Sequence, residues 1–375
     1  METQISKDDP KYTSVNEPNT THATRTLPEF TTVPVETCDD VTLYRSPQYP
    51  IPGIVDCHNH TRHFSLDGRY KLVDLREEGR ALGLGGIAIT EHIDKGLIDG
   101  VYLPGNKNLY AQPLYGEWYF DIHTYIRFIR EMRAKYNRPE FIVANDDPDA
   151  PSPYPELLFG LELGYTSDLA AEYDELITRF SSQLDVVIGS IHCVDNVDIY
   201  SDRSAYEKGK SFIFGRYLEL IIEMLENQQK FDIVGHYDYV ARYSTYEDKR
   251  FLYREFSDLF DRMFRLMIKQ NKCLEINTRS YYQMSRRNNY FVYPDPEVLI
   301  RYYEMGGRRI CFSSDAHSPG EIGLGAQLII RLIRTCGFEN LTWYKQRKAQ
   351  FTSITDLPPL TELPRWGSYS PSINR

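Results

Sequence analysis

Short runs of almost continuous hydrophobic residues recur along the chain, and longer stretches with a helical spacing of apolar residues separate them. Such runs are typical of strands that are buried on both faces of a parallel sheet. The pattern predicts seven strands, at residues 53–58, 86–90, 157–163, 186–192, 231–237, 273–278 and 309–315. It predicts amphipathic helices between them, at residues 121–136, 167–180, 217–229, 257–271 and 294–305. Alternating strands and helices indicate an α/β fold, here an irregular seven-stranded (β/α)7 TIM-like barrel with N- and C-terminal extensions.

The two ends of the chain do not share this pattern. Residues 1–50 are rich in Thr, Pro, Glu and Asp without sustained periodicity, which predicts an extended or disordered N-terminal arm. Residues 356–375 contain four prolines and few apolar residues, which predicts a C-terminal tail. The barrel domain is therefore predicted to span residues 51–355. Two long predicted loops, 96–120 and 194–216, follow the second and fourth strands, where barrel enzymes build and cover their active sites.

Composition narrows the class of protein. The net charge is −10 and the isoelectric point is about 5.5, which disfavours nucleic acid as a partner. No apolar stretch approaches the roughly 18–20 residues that cross a bilayer, and the first residues lack the features of a signal peptide. We therefore expect a cytoplasmic protein with no membrane partner. None of the six cysteines forms a C-x-x-C pair, so we expect buried free thiols.

Polar side chains gather where the predicted strands end. The stretch DCHNHTRHFSLDG at residues 56–68 holds three histidines, and later strands end in T-E-H, G-S-I-H, G-H-Y-D and S-S-D-A-H. Six of the nine histidines lie at or just beyond these ends: His58, His60, His92, His192, His236 and His317. Carboxylates accompany them: Asp67, Glu91, Glu162, Asp238 and Asp315. Because the C-terminal ends of parallel strands converge on one rim of a barrel, we expect these side chains to meet.

Imidazole and carboxylate groups together have a metal-binding composition. They suit Zn²⁺, Mn²⁺ or Fe²⁺, and the absence of cysteine from these positions argues against a closed structural zinc site. Because the candidate ligands outnumber what one ion needs, we expect two or three divalent ions that share a bridging carboxylate. Such a cluster lowers the pKa of a bound water and holds the oxygens of a phosphoryl group.

Taken in order, the motifs H-N-H…D, T-E-H, G-L-E-L, G-S-I-H, G-H-Y-D, L-E-I-N-T and S-S-D-A-H resemble those of the polymerase and histidinol phosphatase (PHP) superfamily. The resemblance is closest to its histidinol-phosphate phosphatases and covers residues 53–350. It implies a seven-stranded barrel with a trinuclear metal site. The ligand sets it implies are His58, His60, Glu162 and Asp315 for one ion, Glu162, His192 and His236 for a second, and Asp67, His92 and His317 for the third.

Several of these residues also have a structural interpretation. A single histidine at a strand end is usually structural, so the ligand role depends on the joint pattern. Asp67 could cap a turn, and Asp315 could cap the following helix. Glu91 is interpreted as a residue that hydrogen-bonds and supports the metal ligands without binding a metal ion, and the alternative is that it caps a nearby backbone turn. His63 is interpreted as a loop residue.

Residues for catalysis and substrate binding are expected at the same rim. Arg242 and Arg279 could bind phosphate, because an arginine fork suits bidentate contact, and Arg242 could also neutralise charge during catalysis. The alternative for each is a structural ion pair. Asn277 could contact substrate or fix the backbone at its strand end. Asp315 or Asp238 is the candidate acid for the leaving alkoxide, with a metal-bound water as the alternative, and Asp238 could equally serve the fold.

These observations predict a metal-dependent phosphomonoesterase in which a hydroxide between two metals attacks phosphorus in line. The resemblance implies that the small-molecule substrate is L-histidinol phosphate, in histidine biosynthesis. Three features motivate an alternative: the arm, the Tyr-rich stretch 101–120 and the segment NTRSYY. In that segment the chain departs from the family, whose members carry a glycine and a later arginine there. That alternative is a phosphatase for another small ester of specialised metabolism or for phosphotyrosine. A third hypothesis is an accessory binding domain like the PHP modules of DNA polymerases.

Overall fold

Parallel strands, taken in chain order, form the centre of the fold. The computed structural model describes residues 51–105, 108–142, 153–288 and 294–358. Its strands are β1 (Val55–Asn59), β2 (Gly86–Ile98), β3 (Val101–Tyr102), β4 (Glu117–Trp118), β5 (Glu156–Gly164), β6 (Val186–Ser190), β7 (Cys193–Val194), β8 (Val197–Asp198), β9 (Ile233–Val234), β10 (Cys273–Asn277), β11 (Ile310–Ser313), β12 (Asn340–Lys345) and β13 (Lys348–Ser353). Parallel pairing follows the order β1, β2, β5, β6, β9, β10, β11. The predicted α/β, TIM-like fold is confirmed. The arm at 1–50 and residues 359–375 of the tail lie outside the described residues, so both stay predictions.

The first and last parallel strands meet at a narrow seam. Within the described residues, one parallel bridge joins Asn59 to Ala316. Asp56 reinforces this seam, because its carboxylate accepts hydrogen bonds from the backbone N–H and the hydroxyl of Ser314, at 2.9 and 2.6 Å. Burial raises the pKa of Asp56 to about 6, and these hydrogen bonds offset part of the cost of burying its charge.

Helices connect the parallel strands. They are α1 (Leu72–Ala81), α2 (Ile122–Tyr136), α3 (Pro139–Ile142), α4 (Ala170–Phe180), α5 (Lys210–Asn227), α6 (Tyr239–Arg242), α7 (Ser257–Lys269), α8 (Thr278–Asn288), α9 (Pro296–Glu304) and α10 (Ala326–Thr335), with short 3₁₀ turns at Ser181–Gln183, Ser204–Lys208 and Tyr253–Glu255. All five predicted helices are present, and α5 begins earlier than predicted. None of the helices in the described part of the chain is long and apolar enough to cross a membrane.

Short strands and the start of a helix lie inside the two segments predicted as long loops. Inside 96–120, β3 and β4 pair antiparallel with the end of β2, which continues well past its predicted end. Inside 194–216 lie β8 and the start of α5. The strand predicted at 231–237 is reduced to β9, because the chain turns at His236, whose carbonyl accepts the N–H of Tyr239.

A C-terminal hairpin of β12 and β13 closes one end of the core. A small apolar cluster takes residues from all seven parallel strands and from the hairpin: Val55, Cys57, Ala88, Leu158, Val186, Ile188, Ile233, Cys273, Cys311 and Tyr344. At the hairpin turn, the guanidinium of Arg347 donates to Asp232, and its backbone N–H donates to the carbonyl of Asp185 at 2.9 Å. The described cysteines are free thiols and all but Cys193 are buried, as predicted.

Candidate metal centre

Glu162 lies in the middle of a group of imidazoles. This β5 residue is only 1% exposed, and a carboxylate buried so deeply requires partners. Five histidine nitrogens surround its two oxygens: Nε2 of His58 at 3.1 Å, Nε2 of His60 at 3.4 Å, Nδ1 of His92 at 2.9 Å, Nε2 of His192 at 3.1 Å and Nε2 of His236 at 2.8 Å. These histidines lie on or just beyond β1, β2, β6 and β9, so one carboxylate of β5 brings together side chains from five neighbouring strands.

Two more carboxylates extend this group. Oδ1 of Asp315 lies 3.8 Å from Nε2 of His58 and 3.4 Å from Nε2 of His60. On another side of the group, Oδ2 of Asp67 lies 3.1 Å from Nε2 of His317. All nine residues predicted as metal ligands are thus brought into one continuous cluster, and their role as ligands stays a prediction.

Several atoms inside the cluster are buried and make no hydrogen bond, although they lie within ion-pair distance of one another. They include Nε2 of His58, Nε2 of His60, Nδ1 of His92 and Oε2 of Glu162. A buried polar atom left in this way costs about 1–3 kcal/mol. Two ligands that each lie about 2.0–2.2 Å from one ion are about 3–3.5 Å apart, and the 3.1 Å between Nε2 of His58 and Oε2 of Glu162 has this spacing.

Among the residues that the structure describes, donor atoms close enough to share an ion form four overlapping groups: His60, His92 and His317; His58, His60 and Asp315; His92, Asp94 and His192; and Glu162, His192 and His236. Nitrogen and carboxylate oxygen without thiolate is a donor set for Zn²⁺, Mn²⁺ or Fe²⁺. The residues therefore fit divalent metal ions.

Positive and negative groups compensate one another inside the cluster. Burial acts to raise the pKa of Glu162, but the imidazoles of His58, His192 and His92 hold it well below its usual range. Burial acts to lower the pKa of His92, but nearby carboxylates raise it to about 9, and Glu162 makes the largest contribution among them. Burial and neighbouring imidazoles hold the pKa of His60 well below its usual range. Imidazoles and carboxylates of the cluster thus stabilise one another's charged forms against the effect of burial.

Glu275 of β10 fixes two of the histidines from behind. Its Oε1 lies 2.7 Å from Nδ1 of His58, and its Oε2 accepts the backbone N–H of His236. Sequence reasoning missed this residue. The signal was present, because a carboxylate inside the apolar stretch CLEIN is as unusual as the one that singled out Glu162.

Two further carboxylates on β2 lie close to the cluster. Glu91 accepts a hydrogen bond from the hydroxyl of Ser65, which lies 3.2 Å from Nδ1 of His60, and another from the backbone N–H of Thr61 at 3.2 Å, so both predicted roles, support of the ligands and capping, stay open. Asp94, which sequence reasoning also missed, lies 2.7 Å from Nδ1 of His192. Its only signal was its position two residues after the T-E-H motif.

The predicted phosphate-binding residues surround Asp315. Arg242 is 1% exposed and donates to Oδ2 of Asp315 at 2.9 Å and to Oδ1 of Asn277 at 3.1 Å. Arg279 donates to the backbone oxygen of Asp315 and to Oε2 of Glu321, both at 2.9 Å. These contacts hold Asp315 in a left-handed backbone conformation, with φ of 52°. Both arginines are thus ion-paired, yet both line the cleft in front of the cluster.

Two candidates lie apart from the cluster. Asp238 accepts a hydrogen bond from the hydroxyl of Ser280 at 3.1 Å, and that hydroxyl also accepts one from Nε of Arg242. Asp238 therefore lies behind the arginine, and its burial raises its pKa. His63 packs against the ring of Phe128 with 5.3 Å between ring centroids, consistent with its interpretation as a loop residue.

A cleft of about 250 Å³ opens onto the cluster. Four aromatic side chains line its wall, Trp118, Tyr200, Tyr239 and Tyr243, and two of them, Trp118 and Tyr239, pack against the rings of His92 and His236. Asp198 adds a carboxylate to this wall. The cleft therefore suits a small ligand with one anionic end and a planar or cationic end.

Comparison with known proteins gives consistent results. A model of the family described as PHP domain matches residues 56–279. The histidinol-phosphatase of Lactococcus lactis subsp. lactis is 26% identical over 295 residues, covering 78% of this chain and 95% of that protein. A protein of Clostridium acetobutylicum named "Probable histidinol-phosphatase" is 25% identical over 293 residues, covering 78% of this chain and 98% of that protein.

A solved structure has the same fold. The crystal structure of histidinol phosphate phosphatase from Lactococcus lactis subsp. lactis, complexed with zinc, L-histidinol and phosphate, superposes with a TM-score of 0.62. The sequence identity is 24%, and the match covers 79% of this chain and 98% of the other.

Proposed function

The chain belongs to the PHP domain family, and from that premise we propose that it is a metal-dependent phosphatase that hydrolyses L-histidinol phosphate to L-histidinol and phosphate. One observation carries the proposal: five imidazoles converge on the buried carboxylate of Glu162, and several of the facing atoms lie within ion-pair distance of it without making a hydrogen bond. A cluster built only for stability would not crowd five imidazoles onto one buried carboxylate, since that carboxylate cannot give each of them a good hydrogen bond.

The metal content we propose is two or three divalent ions, of zinc, manganese or iron. Three ligand sets would hold them: His58, His60, Glu162 and Asp315; Glu162, His192 and His236; Asp67, His92 and His317. Bound divalent ions would supply a hydroxide nucleophile at neutral pH and positive charge for the phosphoryl oxygens. Glu162 would belong to two sets, and its pKa, held well below its usual range, keeps it ionised for that purpose.

Arginine side chains that follow β9 and β10 would bind the phosphoryl group beside Asp315. Arg279 lines the cleft and would donate to a phosphoryl oxygen. Arg242 would add positive charge while it keeps Asp315 in place through the 2.9 Å ion pair. Asn277 holds Arg242 and Asp315 together, since its oxygen accepts from Arg242 and its Nδ2 donates to Oδ2 of Asp315 at 3.2 Å.

Two carboxyl groups compete for the role of acid toward the leaving alkoxide. Burial acts to raise the pKa of Asp315, but His58 and Arg242 hold it well below its usual range, so Asp315 suits a ligand better than an acid. Asp238 keeps its proton more readily, because burial raises its pKa. Because Asp238 lies behind Ser280 and Arg242, its proton would have to reach the substrate through an intervening group.

The substrate assignment draws on the relatives named histidinol-phosphatase and on the cleft. An aromatic wall next to Asp198 would receive the imidazole and ammonium groups of L-histidinol phosphate, while the phosphate lies against the metal cluster. We place the enzyme in histidine biosynthesis in the cytoplasm, as a phosphatase for a small molecule rather than for nucleic acid or a membrane-bound substrate.

The test is phosphate release by the purified full chain reconstituted with zinc, manganese or iron. L-histidinol phosphate is compared with phosphotyrosine, p-nitrophenyl phosphate and a panel of sugar and amino-alcohol phosphates. We expect kcat/KM to be highest for L-histidinol phosphate. Higher values for another ester would assign the site to that ester. A chain that binds less than one metal ion per molecule and hydrolyses none of them would instead be an accessory binding domain.

A further inference from the structure

Asp94 is a buried carboxylate at the metal cluster whose role the proposed ligand sets leave unexplained. It is 5% exposed and lies on the part of β2 that continues beyond the parallel sheet and pairs with Trp118 of β4. Oδ1 lies 2.7 Å from Nδ1 of His192. Oδ2 has no hydrogen-bond partner and is 3.7 Å from Nδ1 of His92.

Asp94 has two possible roles at this position. It is close enough to His92 and His192 to share an ion with them as a direct ligand. However, its 2.7 Å separation from Nδ1 of His192 is that of a charge-assisted hydrogen bond. A nitrogen that donates this bond carries its proton and cannot bind a metal ion. The other nitrogen of the ring, Nε2, lies 3.1 Å from Oε1 of Glu162 and faces the cluster.

We propose that Asp94 is a positioning residue that holds the proton of His192 on Nδ1 and so presents the lone pair of Nε2 to a metal ion beside Glu162. The inference rests on the proposed metal-dependent function. Carboxylates that accept the second N–H of a metal-bound histidine fix both its tautomer and its ring orientation, and their loss typically weakens metal binding by about 10- to 100-fold.

Gly164, at the end of β5, supports this assignment independently. A Cβ at this position would lie 1.6 Å from Oδ1 and 2.6 Å from Cγ of Asp94, and 3.3 Å from Nδ1 of His192. Only a residue without a side chain leaves room for the carboxylate to reach the imidazole. Gly164→Ala should therefore displace mainly Asp94, the side chain nearest to the added Cβ, while every proposed metal ligand keeps its identity.

The experiment compares Asp94→Asn and Gly164→Ala with the wild-type holoenzyme. Each protein is loaded with zinc and titrated with a competing chelator. Zinc-loaded protein labelled with ¹⁵N at histidine is examined by NMR, and His192 is assigned with a His192→Asn variant. Asp168→Asn is the matched control for the loss of a part-buried carboxylate, because Asp168 accepts from Tyr102 at 2.5 Å and belongs to none of the proposed ligand sets. Gly215→Ala is the control for the glycine change, because the nearest atom to its added Cβ lies 3.7 Å away.

We expect both test variants to lose about 10- to 100-fold in affinity for one zinc ion per chain, and to lose or shift the signal of a hydrogen-bonded Nδ1–H on His192. Both controls should keep the wild-type affinity and the wild-type signal. If Asp94→Asn keeps its zinc affinity and the His192 signal, the positioning role is refuted. If both test variants lose zinc affinity and the His192 signal as expected, but the wild type does not hydrolyse L-histidinol phosphate, the positioning role stands and the substrate assignment fails.

Discussion

The carboxylate of Glu275 lies 2.7 Å from Nδ1 of His58, on the side of the imidazole opposite Glu162, whose Oε2 is 3.1 Å from Nε2. One histidine of β1 is thus held between two buried carboxylates from two other strands. Because Nδ1 donates its proton to Glu275, the lone pair of Nε2 is directed into the cluster. The second oxygen of Glu275 accepts the backbone N–H of His236, so the same carboxylate also fixes the turn that follows β9.

We predict that Glu275→Gln weakens zinc binding by about 10- to 100-fold. The amide keeps the size of the side chain but is a weaker acceptor for the imidazole proton of His58. The measurement is a competition titration of zinc-loaded protein with a chelator. Glu339→Gln, at an exposed position beside β12, is the control and should bind zinc like the wild type. Unchanged zinc affinity in Glu275→Gln would show that Glu275 serves the fold alone.

We predict that zinc binding to the metal-free protein releases protons near neutral pH. The carboxylates around His92 raise its pKa to about 9 despite the opposing effect of burial, so this imidazole is protonated at pH 7 before the metal binds. A metal ion requires the neutral imidazole, so binding displaces the proton and zinc affinity rises with pH up to about 9. Calorimetry in two buffers of different ionisation enthalpy at pH 7 measures the protons released.

His92→Gln tests the source of these protons. This variant should release fewer protons per zinc ion than the wild type under the same conditions. Binding enthalpies that do not differ between the two buffers would contradict the prediction.

The sequence predicted most of the sheet and the cluster for identifiable physical reasons. Strands buried on both faces need continuous apolar runs, and these runs are visible without tertiary information. Glu162 stood out because a carboxylate inside such a run requires a partner. The strand-end histidines could be grouped because parallel strands direct their C-terminal ends to one rim.

The missed features depend on contacts that local patterns do not encode. Asp94 is buried because β2 continues beyond its predicted end and pairs with β3 and β4, and those short strands have no sequence period of their own. The hairpin of β12 and β13 was missed because its turn places Gln346 and Arg347 at positive φ. Glycine and asparagine are the usual residues there, and neither is present.

We predict that Arg347→Met lowers the free energy of unfolding by about 1–3 kcal/mol, because it removes charged donors from a buried carboxylate. The guanidinium contacts both oxygens of Asp232, whose side chain is 10% exposed. Denaturant unfolding measures the change. Lys348→Met, at the exposed neighbouring position of the hairpin, is the control and should unfold like the wild type. Folded Arg347→Met should keep the wild-type kcat, since the hairpin lies away from the metal cluster, and a lower kcat would contradict this.

We predict that Arg279→Met raises KM for L-histidinol phosphate and the inhibition constant of inorganic phosphate in parallel. Arg279 lines the cleft with 17% of its side chain exposed, so it can exchange contact with Glu321 for contact with a phosphoryl oxygen. A hydrogen bond to a charged group contributes about 1.5–3 kcal/mol, equivalent to about 10- to 100-fold in both constants. Steady-state kinetics with added phosphate measure both constants, and elemental analysis of the same samples measures bound metal.

The metal content decides between the two interpretations of Arg279. If Arg279 binds phosphate, the variant keeps its metal ions while both constants rise. If Arg279 acts mainly by holding the backbone of Asp315, to which it donates at 2.9 Å, the variant loses metal and kcat falls. Arg262→Met removes an exposed ion pair with Glu226 on the surface of α7 and should change neither the metal content nor the two constants, because exposed pairs contribute little.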